Sequence, residues 1–240
     1  MSNVRTKIIA CATVIEEMLP LLPLDMPFEV LDFGLHLQPQ GLKVALQQAI
    51  DRSSAHANTV ILGYGLCAMA VVGLRATDCT LVIPRVDDCI AIFLGSREAY
   101  QHESGHAPGT YYLTKGWIEV NDTPFEEHKR LVERYGKKRA DRMMQLMLKH
   151  YTRLVFIDTG HLDQERYRTY ARQAATQFGL KYEEIPGSNR LVKKMIFGPW
   201  DDEDFVVVAP GETVTYADFK TTATSTPNLT AFNPRSDSTG

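Results

Sequence analysis

The fold is decided by one stretch, Thr59-Val60-Ile61-Leu62-Gly63-Tyr64-Gly65-Leu66-Cys67, an apolar run of strand length that ends in a cysteine. Continuous apolar runs of this length are typical of strands buried on both faces of a parallel sheet. Further strand-like runs occupy residues 7–10, 29–35 and 81–84, and short helical patterns lie between them. Strands that alternate with helices predict βαβ units. We therefore predict an α/β protein of two Rossmann-like lobes, with mainly parallel sheets and a cleft at the carboxyl-terminal ends of the strands.

Three cysteines and one histidine follow these runs directly or within a few residues. They are Cys11, His36, Cys67 and Cys89. The carboxyl ends of parallel strands meet at one edge of a sheet, which is where such folds bind ligands. A single strand-end cysteine is usually a small buried hydrophobe, but four soft or borderline ligands at one edge predict a metal site. Cys79 precedes its strand, so we expect it at the opposite edge in a structural role.

Two kinds of metal centre suit this set of ligands, and the sequence does not choose between them. One is Zn²⁺ held by cysteine and histidine with an exchangeable position. The other is a [4Fe-4S] cluster with three cysteine ligands and one open iron. The chain lacks the CxxC pairs of structural zinc ribbons, which favours a functional site. Cys11, Cys67 and Cys89 are the predicted metal ligands, with His36 as fourth ligand or as catalytic acid or base.

Residues beside the cysteines complete the predicted site. Gly63 and Gly65 are predicted to contact a bound cofactor, because a glycine lets the backbone approach a bulky ligand. Asp87 is expected to cap the following helix, which leaves Asp88 as an acceptor behind the metal or as a general base. We expect the helix amino terminus near Cys89 to lower the pKa of its thiol.

The second half of the chain repeats the strand and helix alternation and predicts a second lobe. We place an N-terminal lobe with the Cys/His site at residues 1–122, a C-terminal lobe at 123–218 and a disordered tail at 219–240. The tail is rich in Thr, Ser, Pro and Asn. The C-terminal lobe is expected to contain three strands, at residues 153–158, 181–185 and 205–209.

Three polar residues are predicted to face the cysteines across the cleft between the lobes. Asp158 and His161 follow the first strand of the second lobe, and Lys115 lies in an aromatic run that we expect to wall the cleft. We predict catalytic roles for these residues, with Lys115 meeting an anionic group of the substrate.

A long helical pattern at residues 125–150, interrupted at Gly136, separates the two lobes. Its apolar side chains recur with helical spacing, which predicts a stripe packed against the core. The stripe contains Met143, Leu146, Met147 and Tyr151. The adjacent basic residues 137–139 are expected to form a solvated face.

Composition excludes several classes of function. The chain has 240 residues and a formal net charge of −3, which gives no electrostatic footprint for nucleic acid or for acidic membranes. No apolar stretch approaches the roughly 18–20 residues of a membrane span. Four cysteines are too few for a disulfide scaffold, and no secretory leader precedes Cys11. We expect a cytoplasmic protein that binds neither nucleic acid nor membrane.

Several short motifs together resemble the domain-of-unknown-function 1638 (DUF1638) family. They cover most of residues 5–215 and include Ala10-Cys11, Leu35-His36, Tyr64-Gly65-Leu66-Cys67, Asp88-Cys89-Ile90 and Gly109-Thr110-Tyr111-Tyr112-Leu113-Thr114. The chain departs from the family at Ala68, where glycine is frequent. The resemblance implies a Cys/His set at Cys11, His36, Cys67 and Cys89. It also implies a setting near corrinoid-dependent methyltransferases and one-carbon metabolism, although it supplies no reaction.

The expected function is metal-dependent action on a small molecule in methyl-group metabolism. A metal-dependent transferase, lyase or hydrolase acting on a small methylated or thiol substrate would fit the predicted site. Corrinoid is a further cofactor candidate, and a corrinoid protein or a methyltransferase a partner candidate. The alternatives are a non-enzymatic accessory protein that binds a corrinoid, a corrinoid protein or a metal, and a structural zinc domain. Turnover by the isolated protein separates the first reading from the other two.

Overall fold

The computed structural model describes residues 5–120, 123–201 and 203–220. Its first sheet is built from the predicted apolar runs. Its strands are β1 (Thr6–Cys11), β2 (Phe28–Leu31), β3 (Thr59–Gly63), β4 (Thr80–Pro84) and β8 (Phe205–Val208). They lie in the order β2-β1-β3-β4-β8, and all pairs are parallel except the antiparallel pair of β4 with β8. The residues of β3 are buried throughout, as a strand covered on both faces requires.

The second sheet contains three parallel strands in sequence order. They are β5 (Thr110–Leu113), β6 (Arg153–Asp158) and β7 (Lys181–Pro186). One continuous cluster of buried side chains contains residues of both sheets, such as Ile8 and Leu62 of the first and Leu154 and Phe156 of the second. The predicted α/β class with mainly parallel sheets is therefore confirmed, and the two sheets share one core.

Nine α-helices connect and cover the strands in the described part of the chain. They are α1 (Ala12–Met18), α2 (Pro39–Ser54), α3 (Cys89–Leu94), α4 (Arg97–His106), α5 (Lys115–Glu119), α6 (Pro124–Tyr135), α7 (Lys137–Met147), α8 (Gln164–Phe178) and α9 (Arg190–Phe197). Short 3₁₀ helices occupy Phe33–Leu37 and Ala217–Phe219. None of the helices in the described ranges combines the length and the apolar character that a bilayer crossing requires.

Two strands belong to a different sheet from the one predicted. Strand β8 lies in the predicted second lobe by sequence, but it pairs with β4 in the first sheet. Strand β5 lies in the predicted first lobe, but it pairs with β6 in the second sheet. An apolar run predicts that a strand forms, but it carries little information about which edge the strand joins. The predicted tail also begins too early, because Phe219 is buried. Residues 221–240 of that tail lie outside the described residues.

Several local predictions need correction. Residues 68–73 form turns rather than one of the short helices predicted between the strands, and the predicted helix after Asp87 is divided at Gly95 into α3 and α4. The aromatic run from residue 111 is a strand only as far as Leu113, because Thr114 then caps α5. The break at Gly136 is confirmed, with φ at +76° between α6 and α7.

The predicted core stripe of α7 is wrong. Its side chains are exposed to solvent. They are Met143, Leu146, Met147 and Tyr151. The helix packs instead through Ala140, Met144 and Leu148 against a small cluster that includes Leu131 of α6. Apolar residues occur on both faces of α7, and spacing alone does not decide which face is covered.

Candidate functional site

Three of the four cysteines lie at the carboxyl-terminal edge of the first sheet, at or beside its topological switch point. Strand β1 lies between β2 and β3, so the connections of β1 and β3 leave the sheet in opposite directions. Cys11 is the last residue of β1, Cys67 follows β3 by four residues, and Cys89 begins α3 after β4. In open α/β sheets the crevice outside such a switch point is the usual place for a ligand.

The three thiols are close enough to affect one another electrostatically. Burial raises the pKa of Cys11 to about 11, although the backbone N–H groups of Val14 and Thr13 donate to its sulfur. Burial and then the neighbouring Cys11 raise the pKa of Cys67 to about 12. Burial, Cys11 and Cys67 raise the pKa of Cys89 well above its usual value. The predicted lowering of the Cys89 pKa is therefore wrong, because burial and mutual repulsion outweigh the helix terminus.

Cys79 provides an internal contrast. It is buried immediately before β4, at the opposite edge of the sheet. Burial raises its pKa to about 11, and its charged neighbours are Asp78 and Asp51 rather than the other cysteines. Cys79 is thus a matched control for the three thiols at the switch point.

Backbone hydrogen bonds hold the loop that carries Cys67 against the loop that precedes Cys89. The amide of Leu66 donates to the carbonyl of Val86 at 2.9 Å, and the amide of Cys67 donates to the carbonyl of Asp87 at 3.0 Å. These bonds join the segments after β3 and β4, so the two cysteines are positioned by one piece of structure.

The backbone at Cys67 is strained. Cys67, Ala68 and Met69 have φ angles of +43°, +55° and +70°, in the left-handed region that side chains disfavour. This conformation costs about 1–2 kcal/mol for each residue with a side chain. Strain of this kind persists only where the surrounding structure imposes it, and it is concentrated at functional sites.

Gly63 and Gly65 permit close approach, but the approaching atoms belong to the protein. A Cβ at Gly63 would lie 2.4 Å from the Ala10 Cβ, and one at Gly65 would lie 2.6 Å from the Val86 carbonyl oxygen. Both glycines are therefore required for packing between neighbouring strands and loops. Their predicted contact with a cofactor stays a prediction.

His36 and Tyr64 form a stacked pair beside the cysteines. Their ring centroids are 5.8 Å apart, with 22° between the planes. Tyr64 is fully buried, and burial followed by the charges of the three thiols raises the pKa of its hydroxyl. Among the described residues, that hydroxyl has no hydrogen-bond partner. An unsatisfied buried hydroxyl costs roughly 1–3 kcal/mol, which marks this position as a candidate contact for a bound ligand.

The helix cap predicted for Asp87 is supplied by Asp88 instead. Asp88 caps α3 by accepting from the amide of Ile90 at 2.9 Å, whereas Asp87 pairs with Arg97 at 3.1 Å. Burial raises the pKa of Asp88, although Tyr100 donates a hydrogen bond to it. Asp88 also raises the pKa of Cys67 and Cys89, which places it next to the thiols. Its predicted role as a base stays a prediction.

A second polar cluster connects the two halves of the molecule and contains a residue that the sequence analysis missed. Glu17 of α1 is 2% exposed and accepts hydrogen bonds from His161 Nε2 at 2.5 Å, Thr159 Oγ1 at 2.7 Å and the Gly116 amide at 2.8 Å. Burial raises the pKa of Glu17, but the bonds from His161 and Thr159 together outweigh it and hold the pKa below its usual value. The sequence contained one signal for this role, because Glu17 is a carboxylate on the otherwise apolar face of the short helix α1.

Lys115 and Asp158 each have a partner within the protein. Lys115 pairs with Glu16 at 2.9 Å, and Asp158 pairs with Arg168 at 2.5 Å while accepting from the Gly160 amide at 2.9 Å. Their predicted contacts with substrate stay predictions.

Helix α1 carries Cys11 at its amino-terminal cap and Glu17 in its last turn, so one short helix positions both polar clusters.

Comparison with protein families gives one assignment. A family model described as "Protein of unknown function (DUF1638)" matches residues 30–196. The chain belongs to the DUF1638 family. The matched region contains His36, Cys67 and Cys89 and begins after Cys11 and Glu17. Comparisons with curated proteins and with solved structures gave no match.

The thiols of this DUF1638 protein are close together without forming a ready set of metal ligands. Within residues 5–120, 123–201 and 203–220, no three His, Cys, Asp or Glu side chains have an arrangement that could hold a metal ion. Cys11, Cys67 and Cys89 are coupled electrostatically, but their shared metal stays a prediction. Ala68, directly after Cys67, has a positive φ that suits glycine better than alanine.

Proposed function

We propose that this DUF1638 protein is a metal-dependent protein that acts on a small molecule in methyl-group metabolism. Cys11, Cys67 and Cys89 would supply thiolate ligands, and His36 would be a fourth ligand or an acid or base. The observation that carries this proposal is the mutual electrostatic effect of three thiols, one buried and two half-buried, at the carboxyl-terminal edge of a parallel sheet.

The chemistry of the donors fits a soft or borderline metal. Thiolates are preferred ligands of Zn²⁺ and of iron–sulfur clusters, and the proposal leaves the choice between these two open. A cation would offset the burial that raises the pKa of all three thiols and the repulsion that adds to it at Cys67 and Cys89, since metal binding deprotonates its ligands. The arrangement of the side chains fits less well, because no three candidate ligands among the described residues are placed to hold a metal ion, so binding requires these side chains to rearrange. When bound, Zn²⁺ or an open iron polarises a coordinated substrate group.

The substrate and partner classes rest on the family resemblance. A small methylated or thiol compound is the proposed substrate, and a corrinoid protein or a methyltransferase is the proposed partner. A transferase, lyase or hydrolase reaction is compatible with these assignments. The ligand set and the metabolic setting are separate parts of the proposal, because only the ligand set rests on the electrostatic effects between residues of this chain.

His161 is the proposed acid or base supplied by the second half of the molecule, with Glu17 as its positioning residue. Glu17 accepts from Nε2, and no partner for Nδ1 occurs among the described residues. A carboxylate that holds one imidazole nitrogen orients the ring, which leaves the other nitrogen to exchange a proton. Thr159 and the Gly116 amide fix the carboxylate in turn.

Metal content tests the proposal. Protein purified without oxygen should contain about one zinc ion or one cluster per chain, and an absorption spectrum separates the two. Cys67→Ser and Cys89→Ser should lose the metal while the circular dichroism spectrum remains that of the wild type. Cys79→Ser is the matched control and should keep the metal. Equal metal content in all three variants would sink the ligand assignment.

A further inference from the structure

Helix α7 exposes an apolar stripe that no other part of the described residues 5–120, 123–201 and 203–220 covers. Leu146 is 60% exposed and Met147 53% exposed, and Met143 lies beside them on the same side of the helix. The helix packs against Leu131 of α6 through another face, which carries Ala140, Met144 and Leu148. Large apolar side chains that cluster on a surface are typical of an interaction site, and methionine adapts readily to different partners.

Unpaired positive charge surrounds this stripe. Residues 137–149 contain five lysines or arginines and a single aspartate, although the chain as a whole carries −3. Lys137 pairs with Asp141 at 2.7 Å. The other cationic side chains of this segment are exposed and have no ion-pair partner among the described residues. They are Lys138, Arg139, Arg142 and Lys149.

We infer that the exposed face of α7 is a docking surface for an acidic protein segment with apolar side chains of its own, such as an amphipathic helix. Leu146, Met147 and Met143 would bury the apolar side chains of the partner, and Arg139 and Arg142 would pair with its carboxylates. Apolar anchors inside a charged rim are the usual construction of a helix-binding surface.

The charge and the composition of the exposed face of α7 argue against three other binding partners, namely a second copy of the chain, nucleic acid and a lipid surface. A second copy of the chain would bring the same cations together across a symmetric contact. Nucleic acid would leave the apolar stripe unused, and the net charge of the chain opposes its binding. The exposed stripe lacks the Trp and Phe side chains that commonly anchor a helix in a lipid interface.

The test uses a fluorescent, helical peptide of roughly 20 residues, built from Leu on one face and Glu on the other. Fluorescence anisotropy should show saturable binding to the full-length protein that weakens as salt increases. The double variant Leu146→Gln, Met147→Gln should bind at least about tenfold more weakly. The variant Arg139→Glu, Arg142→Glu should lose a similar factor and most of the salt dependence.

The matched control is the double variant Arg75→Glu, Lys193→Glu, which reverses two exposed cations outside α7 and should bind like the wild type. All variants alter exposed side chains, and circular dichroism checks that they fold. The inference is overturned if the acidic peptide does not bind, or if the control weakens binding as much as the arginine variant. It is also overturned if anionic vesicles or duplex DNA bind α7 more tightly than the peptide, or if the protein self-associates through this face.

Discussion

At the scale of single residues, Glu17 is a buried carboxylate that folding keeps charged. Its folded-state pKa lies below the usual 4.5, because hydrogen bonds from His161 and Thr159 outweigh burial. The carboxylate therefore stabilises the fold above about pH 4.5, and this contribution is lost as the pH falls through the folded-state pKa. We expect Glu17→Gln to lower the free energy of unfolding in urea at pH 7 and to differ less from the wild type near pH 3.5.

The matched control for this prediction is Glu98→Gln on the exposed side of α4, which should follow the wild-type curve. A difference between Glu17→Gln and wild type that stays constant with pH would contradict the account. The Glu17 carboxylate would then contribute through packing alone.

The raised thiol pKa values give a second prediction at this scale. Burial raises the pKa of Cys11 to about 11 and that of Cys67 to about 12, so these groups are protonated at neutral pH. Cys89 is protonated for the same reason. Binding of Zn²⁺ should therefore release about three protons per ion at pH 7.5. Calorimetry in buffers of different ionisation enthalpy measures this number, and Cys79→Ser should leave it unchanged. A release near zero would show that the thiols are not the ligands.

At the scale of an element, the turn after β3 has a strained backbone, because Cys67, Ala68 and Met69 adopt positive φ angles. Ala68 has a φ of +55°, which glycine adopts without a steric penalty. We expect Ala68→Gly to raise the free energy of unfolding by about 0.5–1 kcal/mol, after the entropy that glycine loses on folding is subtracted.

Ala70→Gly is the control two residues later. Ala70 is buried and lacks a positive φ, so this substitution should lower the free energy of unfolding. Equal destabilisation by both substitutions, measured by chemical denaturation, would show that the turn is not strained at Ala68.

At the scale of the whole molecule, the shared core predicts that the two sheets unfold together. Buried side chains of β1 and β6 belong to one cluster, and Glu17 connects α1 to the segment after β6. Urea unfolding followed by circular dichroism and by the fluorescence of Trp117 and Trp200 should give coincident single transitions. Two separated transitions would show that the sheets are independent folding units.

Much of this architecture is predictable from sequence, because the apolar runs are nearly continuous and the connections between them are short. Those features predict β1, β3 and β4 as buried parallel strands. Parallel strands in turn predict that residues at their carboxyl ends, such as Cys11 and Cys67, lie at one edge. The break between α6 and α7 is also predictable, because glycine readily adopts the positive φ that ends a helix, and Gly136 has such a φ.

The remaining features depend on contacts between distant residues. The run 205–208 indicates a strand, but only tertiary packing places it antiparallel beside β4. Met143 and Met144 have equal hydropathy, and only the position of α6 determines which of them is buried. The thiol pKa values follow from burial and from mutual repulsion at the switch point, and neither is readable from the local sequence around Cys89. Glu17 likewise acquires its role from His161, in the other half of the chain.

X-ray absorption at the metal edge of the protein purified without oxygen counts the sulfur ligands of the metal. We expect three cysteine sulfurs around the metal centre, at about 2.3 Å if the metal is zinc. The sulfur count should fall by one in Cys11→Ser, Cys67→Ser or Cys89→Ser wherever metal is retained, and it should stay unchanged in Cys79→Ser. A first shell made only of oxygen and nitrogen, or a sulfur count that falls in Cys79→Ser, would contradict the claim that the switch-point cysteines form one metal site.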